Sequence, residues 1–266
     1  MTIPNFTLAE AASPACREAL DTVGAVRFPG FATSGEVEAL RIAWQELSDR
    51  WVAEDRKKVN GIPVKYGVRP DGVRYVNRFA FASLHHPTFS AFVNDPRFSA
   101  ILALCGADLR IGEREKDGLV INCYRNEEGS RFKQLGWHTD GLRDLFYGRL
   151  PGPMYNIGFY LDDSPAEKGA LRLIPGSHNQ GFWSMALRKP YFIDHRADPE
   201  EVLVEATAGD LTIHDGRLWH RVGRATVTGD ASLRRTMYIP FLNGPYEPKD
   251  ESSRTPFYHH FQRITG

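Results

Sequence analysis

Gly136-Trp137-His138-Thr139-Asp140-Gly141 sets an imidazole and a carboxylate two residues apart. On extended backbone, residues i and i+2 project from one face. His138 and Asp140 can therefore grip one metal ion from one side, provided a third donor arrives from elsewhere. His220 is the candidate. Residues 209–220, Gly-Asp-Leu-Thr-Ile-His-Asp-Gly-Arg-Leu-Trp-His, read as a turn, a strand, a turn and a second strand opening at His220. Two neutral imidazoles and one carboxylate on one face of a metal suit an Fe(II) oxygenase and leave positions open for a co-substrate and O2. The triplet is weak alone, because nine histidines bring such a pattern close to chance. His214, just before Asp215-Gly216, is the rival third ligand. His178 closes a Pro-Gly-Ser-His turn and reads as a hydrogen-bonding residue there. His85-His86 and His259-His260 read as surface pairs.

Arg234-Arg235 opens the last apolar run, Arg-Arg-Thr-Met-Tyr-Ile-Pro-Phe. A guanidinium fork holds a carboxylate bidentately, and a dicarboxylate that chelates iron at one end needs such a partner at the other. Strand parity puts Arg234, Thr236 and Tyr238 on one face and Arg235, Met237 and Ile239 on the other. The first face is the more polar and suits a ligand-filled lumen, so Arg234 is the choice and Arg235 the fallback. Arg143, Arg149, Arg172, Arg188, Lys189, Arg217, Arg221 and Arg224 flank these motifs and hint at an anionic substrate. Solvated surface charge explains them equally well. Trp137, Phe146, Tyr147 and Trp183 are candidate walls of the substrate pocket.

These residues need a frame. The chain has 266 residues, 42% apolar and 25% charged, with 33 Lys+Arg against 33 Asp+Glu. That balance fits one large globular domain and argues against nucleic acid or an anionic membrane as the main partner. The start of the chain has neither a cationic region nor an apolar run, and no stretch reaches membrane-spanning length. Cys16, Cys105 and Cys123 are odd in number and unpaired in spacing, so a reducing cytoplasm is expected. Residues 22–28 read as a strand ending at Pro29-Gly30. Thr33 and Glu36 have capping-box spacing ahead of a helix whose stripe is Val37, Leu40, Trp44, Leu47 and Trp51. Residues 52–80 show no period and read as a long irregular segment, either a lid or binding loop or a mobile surface excursion. A second helix starts at Asp95-Pro96 and stops at Gly106. From residue 108 short apolar runs follow at 109–112, 118–124, 154–161, 170–174, 201–206, 210–214 and 234–241. The expectation is a mostly helical part (1–107), a jelly-roll core (108–245) and a tail (246–266) in one domain. In such a core, Greek-key connections make strands distant in sequence neighbours, which is how His220 would reach His138.

His138-x-Asp140, Leu161-Asp162-Asp163, Gly169-Ala-Leu-Arg-Leu-Ile-Pro-Gly-Ser-His178, Gly209-Asp210, His220 and Arg234 together resemble the phytanoyl-CoA dioxygenase family of 2-oxoglutarate- and Fe(II)-dependent oxygenases. The likeness covers nearly the whole chain, including Val-Gly-Ala-Val-Arg-Phe-Pro-Gly-Phe near the start. It implies a double-stranded β-helix (a cupin-like jelly roll), iron on His138, Asp140 and His220, and Arg234 on the far carboxylate of 2-oxoglutarate. The implied reaction hydroxylates an unactivated C–H of a small metabolite, with O2 consumed and succinate and CO2 released. Related halogenases carry a small residue where Asp140 stands, so its presence points to oxygenation. The chain departs from the family at Asn156-Ile-Gly158, where a tryptophan is common. Asn156 faces the same way as Gly158 and is a candidate contact for 2-oxoglutarate. Trp137 and Arg143 are candidate substrate contacts. Two other classes stay open: a non-catalytic jelly-roll module that binds a small molecule, and a zinc hydrolase using the same three donors. Oligomeric state is not readable.

Overall fold

The computed structural model describes residues 2–128 and 134–256, with the backbone alone at Phe146 and Tyr147. His259 and His260 lie outside the described residues. Chain order is α1 (Pro14–Val23), β1 (Ala25–Phe28), α2 (Ser34–Ala53), β2 (Lys58–Val59), β3 (Ile62–Pro63), β4 (Lys65–Val68), β5 (Arg74–Phe79), α3 (Pro87–Val93), α4 (Arg97–Cys105), β6 (Arg110–Ile111), β7 (Val120–Tyr124), β8 (Leu135–His138), β9 (Met154–Tyr160), β10 (Leu171–Leu173), α5 (Phe182–Leu187), β11 (Val202–Val204), β12 (Leu211–Asp215), β13 (His220–Val222) and β14 (Arg234–Leu242). The larger sheet runs β1-β12-β9-β14-β7-β5-β4, with β6 also on β14; the smaller runs β11-β10-β13-β8. Antiparallel neighbours that lie far apart in sequence, such as β1 with β12 and β7 with β14, are the jelly-roll connectivity.

Alternation along the larger sheet decides what faces where. Ile121, Ile157, Phe159, Leu211, Ile213, Met237, Ile239 and Phe241 join the main apolar core with the buried faces of the four N-terminal helices. The opposite face carries Asn122, Asn156, Tyr238 and His214, which line a cavity together with His138, Leu171, His220 and Val222 of the smaller sheet. One side of the larger sheet is thus apolar and dry, the other polar and able to receive a ligand. The helix α2 forms as its sequence dictates. Thr33 and Glu36 cap one another, with Thr33 N–H donating to Glu36 Oε2 at 2.8 Å, and Val37, Leu40, Trp44, Leu47 and Trp51 are all buried.

Four expectations need correcting. The strand placed at 22–28 starts at Ala25, because α1 runs through Val23 and ends on Gly24 in the left-handed conformation at φ 81°. Residues 52–80 are not an irregular excursion. They hold β2 to β5, and β5 pairs with β7 inside the larger sheet. Five of the six residues of β5 are buried, so the strand lacks the alternation that marks a half-exposed one. The second helix begins at Arg97, with Pro96 as its cap residue. His85 and His86 are half-buried. His86 Nδ1 accepts from Thr88 N–H at the start of α3, and His85 meets the Trp51 ring edge-on at 5.5 Å.

Candidate metal centre

His138 is the last residue of β8 and His220 the first of β13, directly opposite one another in the antiparallel register. Facing residues on one side of a strand pair put their side chains in contact, and the two rings lie 4.1 Å apart between centroids. Asp140 has already left the strand, with helical backbone at φ −73° and ψ −24°. Its carboxylate nevertheless returns to the same point, with Oδ2 3.5 Å from His220 Nε2. One donor atom from each of His138, Asp140 and His220 falls within 4.8 Å of the others, and all three residues are buried.

Backbone carbonyls choose which nitrogen faces inward. His138 Nδ1–H donates to Gly136 O at 2.8 Å and His220 Nδ1–H to Leu218 O at 2.9 Å. Each bond spends the proton on Nδ1 and leaves a lone pair on Nε2, the form a metal requires. Burial, then the neighbouring His220, push His138 down to about 3, so it is neutral at physiological pH. Burial alone would raise the Asp140 carboxyl, but Arg143 and then the imidazoles outweigh it and hold the group ionised, below the usual carboxylate range. Asn156 Nδ2 donates to Asp140 Oδ2, and Arg143 Nε lies 3.5 Å from Oδ1. Asn156 and Arg143 therefore belong to this centre, both lining its cavity.

His214 lines the same cavity with its ring 4.9 Å from that of His220. It is not in the three-donor cluster, and neither ring nitrogen has a hydrogen-bond partner among the described residues. Arg234 is 1% exposed with its guanidinium over the Tyr124 ring, 4.3 Å from the centroid. Among the described residues Arg234 Nη2, Thr236 Oγ1 and Asn122 Oδ1 lack hydrogen-bond partners. Thr236 and Asn122 face each other in the β14–β7 register, and Arg234 is two residues along on the same face. Buried polar groups left bare cost about 1–3 kcal/mol each. Of these, Arg234 Nη2 and the Thr236 hydroxyl can donate to an anion, whereas Asn122 Oδ1 can only accept.

Arg235, the fallback, is committed elsewhere. Its Nε and Nη2 grip Asp162 at 2.7 and 2.8 Å on the outer face. Trp137 does not wall the pocket either. It points away from His138, as the next residue of a strand must, and packs with Leu142, Ile174, Met185 and Trp219. Trp183 is 73% exposed, and the side chains of Phe146 and Tyr147 lie outside the described set. The ring that does cover the site was not anticipated: Phe192 stacks on His138 at 4.7 Å with planes 24° apart. Most of the flanking cations are also spoken for. Arg172 and Arg221 pair with Glu201, Arg188 with Glu200, Lys189 with Asp198 and Arg217 with Asp215. The basic residues that line the cavity are Lys65, Arg78, Lys116 and Arg143. Of these, sequence alone singled out Arg143.

A two-sheet jelly roll holding two imidazoles and a carboxylate at a buried cavity carries the donor set of the non-haem iron class. The chain belongs to the phytanoyl-CoA dioxygenase family, whose model matches residues 20–231. No curated protein matches it in sequence. Solved structures share its fold. The 2-oxoglutarate-dependent carbocyclase SnoK of nogalamycin biosynthesis is 21% identical, with 98% of this chain and 93% of that one covered and a TM-score of 0.65. The epimerase SnoN of the same biosynthesis is 22% identical over 89% and 87%, with a TM-score of 0.60. HygX from Streptomyces hygroscopicus, with nickel and 2-oxoglutarate bound, is 19% identical over 87% and 86%, with a TM-score of 0.58.

Proposed function

We propose that the chain is an Fe(II)- and 2-oxoglutarate-dependent oxygenase that hydroxylates an unactivated C–H of a small metabolite and releases succinate and CO2. His138, Asp140 and His220 would hold the iron. Arg234, with the Thr236 hydroxyl beside it, would hold the far carboxylate of 2-oxoglutarate. Bound there, iron with 2-oxoglutarate and O2 supplies an oxidant strong enough to take hydrogen from an unactivated carbon. The protein's share is placement: one face of donors, a dry wall and a fixed substrate.

The observation that carries this reading is the buried three-donor cluster together with the buried Arg234, whose Nη2 has no hydrogen-bond partner among the described residues and which shares a strand face with the cavity-lining Tyr238. A zinc hydrolase needs the donors and a general base but has no use for Arg234. A passive binding module needs neither two Nε2 lone pairs turned on one point nor an ionised Asp140 beside them. Asn156 supports the reading as well, since it orients Asp140 and sits opposite His214 across the β12–β9 pairing.

Family membership supports the reaction class more strongly than its outcome. SnoK is described as a carbocyclase and SnoN as an epimerase. Asp140 argues against halogenation only, and product analysis decides among hydroxylation, carbocyclisation and epimerisation. Fe(II) and 2-oxoglutarate mixed with the protein without oxygen should give a visible charge-transfer band that His138→Ala lacks. An identical spectrum for the two proteins would sink the proposal. Succinate release across a metabolite panel then reports the substrate.

A further inference from the structure

His214 lies on β12 and lines the cavity of the metal centre. It is 1% exposed, and neither Nδ1 nor Nε2 has a hydrogen-bond partner among the described residues. An imidazole carries at least one ring N–H, whichever tautomer it adopts. A buried donor left bare is costly, and an apolar side chain would fill the same space without that cost. The ring is therefore suited to a polar group that none of the described residues supplies.

The two histidines beside it behave differently. His138 and His220 each spend Nδ1 on a backbone carbonyl and leave Nε2 for the metal position. His214 has no such carbonyl and falls outside the donor cluster, yet its ring stands 4.9 Å from that of His220. Strand pairing fixes which end of the cavity it serves. His214, Asn156 and Pro240 form one row across the larger sheet, and all three line the cavity. Asn156 Nδ2 donates to Asp140, so this row lies at the metal end. Arg234 opens β14 and Pro240 lies near its other end, with Thr236 and Tyr238 between them on the same face. On the oxygenase reading, Arg234 takes one carboxylate of 2-oxoglutarate and the metal takes the other. That second carboxylate arrives at the row where Asn156 is committed to Asp140 and His214 is bare.

We propose that the His214 ring N–H donates a hydrogen bond to the metal-side carboxylate of 2-oxoglutarate, while Arg234 holds the other carboxylate. This rests on the oxygenase reading and adds a second protein anchor to it. His214 is then a binding residue for the co-substrate and not a third imidazole on the metal. A 2-oxo acid that lacks the far carboxylate loses Arg234 and keeps His214.

The test uses the full chain with Fe(II) under anaerobic conditions. It is titrated with 2-oxoglutarate and, separately, with pyruvate, which keeps the metal-side carboxylate and lacks the far one. The readouts are the position of the visible band, the concentration for half-maximal band formation and, before either acid is added, the affinity for Fe(II). His214→Phe keeps a planar ring and removes the N–H. It should shift the band and raise the half-maximal concentration of both acids by about tenfold or more, the scale of a lost hydrogen bond to a charged group. Its Fe(II) affinity should match wild type. His214→Gln restores an N–H and should recover most of the loss. Arg234→Leu should weaken 2-oxoglutarate and leave pyruvate alone. If His214→Phe does not fold, His214→Leu carries the same expectations. A His214→Phe protein that binds both acids as wild type does would overturn the proposal. So would a loss confined to 2-oxoglutarate, since His214 would then serve the far carboxylate, and so would a loss of Fe(II) affinity, since the ring would then be a metal ligand. Those three outcomes leave the oxygenase reading standing. A wild-type protein with no band for either acid would overturn that reading and this one with it.

Discussion

Asp140 is held by neighbours rather than by its own strand. Asn156 donates to one oxygen and Arg143 lies against the other. Asn156→Leu should therefore weaken metal binding by about 10–100-fold, the usual cost of losing a partner behind a ligand, as measured by Fe(II) or Mn(II) titration. Unchanged affinity would show that the carboxylate needs no such help. The two arginines of β14 should separate cleanly. Arg234→Leu should raise the 2-oxoglutarate concentration for half-maximal band formation by about 30-fold or more. Arg235→Leu should leave that titration alone and lower stability, because it removes the nearer of the two guanidinium partners of Asp162 and leaves only Arg41 at 3.3 Å. Parity along β14 separated Arg234 from Arg235 in the sequence, and HxD spacing singled out His138 and Asp140, which cluster with His220. Lys65, Arg78 and Lys116 were not, because no local period marks them and only strand pairing brings them to the cavity.

Among the elements, those with a local signal were found and those defined by long-range pairing were not. The Thr33–Glu36 capping box announced α2, and Thr33→Ala should cost about 0.5–2 kcal/mol in urea unfolding without affecting metal affinity. A change in metal binding would mean that α2 also supports the site. α1 carried a signal that went unread: Ser13 Oγ accepts from Cys16 N–H, with Pro14 at the first helical position. The hairpin β4–β5 had none, since a strand buried along nearly its whole length does not alternate. Gly158 shows how an inner-face strand was tuned. A Cβ there would come within 2.7 Å of Thr212 Oγ1 and 3.3 Å of the Tyr238 ring, so a larger residue would displace the cavity wall.

At the scale of the whole molecule, helices α2 and α4 and the loop after β1 are tied together by ionic contacts as well as by the apolar core. Arg97 at the start of α4 pairs with Asp95 at 2.8 Å and with Glu36 of α2, and it donates to Phe31 O at 2.8 Å. Its hydrogen bonds are the first cause that lowers both carboxyls. Depressed folded-state pKa values contribute stability that is fully present above the unfolded values, near 4. It is lost as pH falls through the folded ones. Unfolding stability should therefore drop on acidification below about pH 4, and Arg97→Gln should flatten that limb. Solvent screening limits the effect to about 1 kcal/mol, since Glu36 is 39% exposed. An identical acid limb in the variant would refute the assignment. Among the described residues no helix is long and apolar enough to cross a membrane.

Phe192 stands apart from all of this. It covers His138 from a loop, not from either sheet, with its backbone in the left-handed region at φ 62°. It can lie so close because Gly136 offers no side chain, as a Cβ there would sit 2.4 Å from Phe192 O. The backbone hydrogen bonds from Phe192 N–H to Trp137 O and from Trp137 N–H to Asp194 O, both 2.8 Å, join that loop to the edge of β8, with Tyr191 Oη donating to Thr139 O and Trp137 Nε1 to Arg196 O. The metal donors and the ring above them are thus inherited on separate pieces of chain. Exchange of Phe192 therefore changes the ring over His138 without altering a donor, as long as position 136 remains glycine and Tyr191 keeps its bond to Thr139 O.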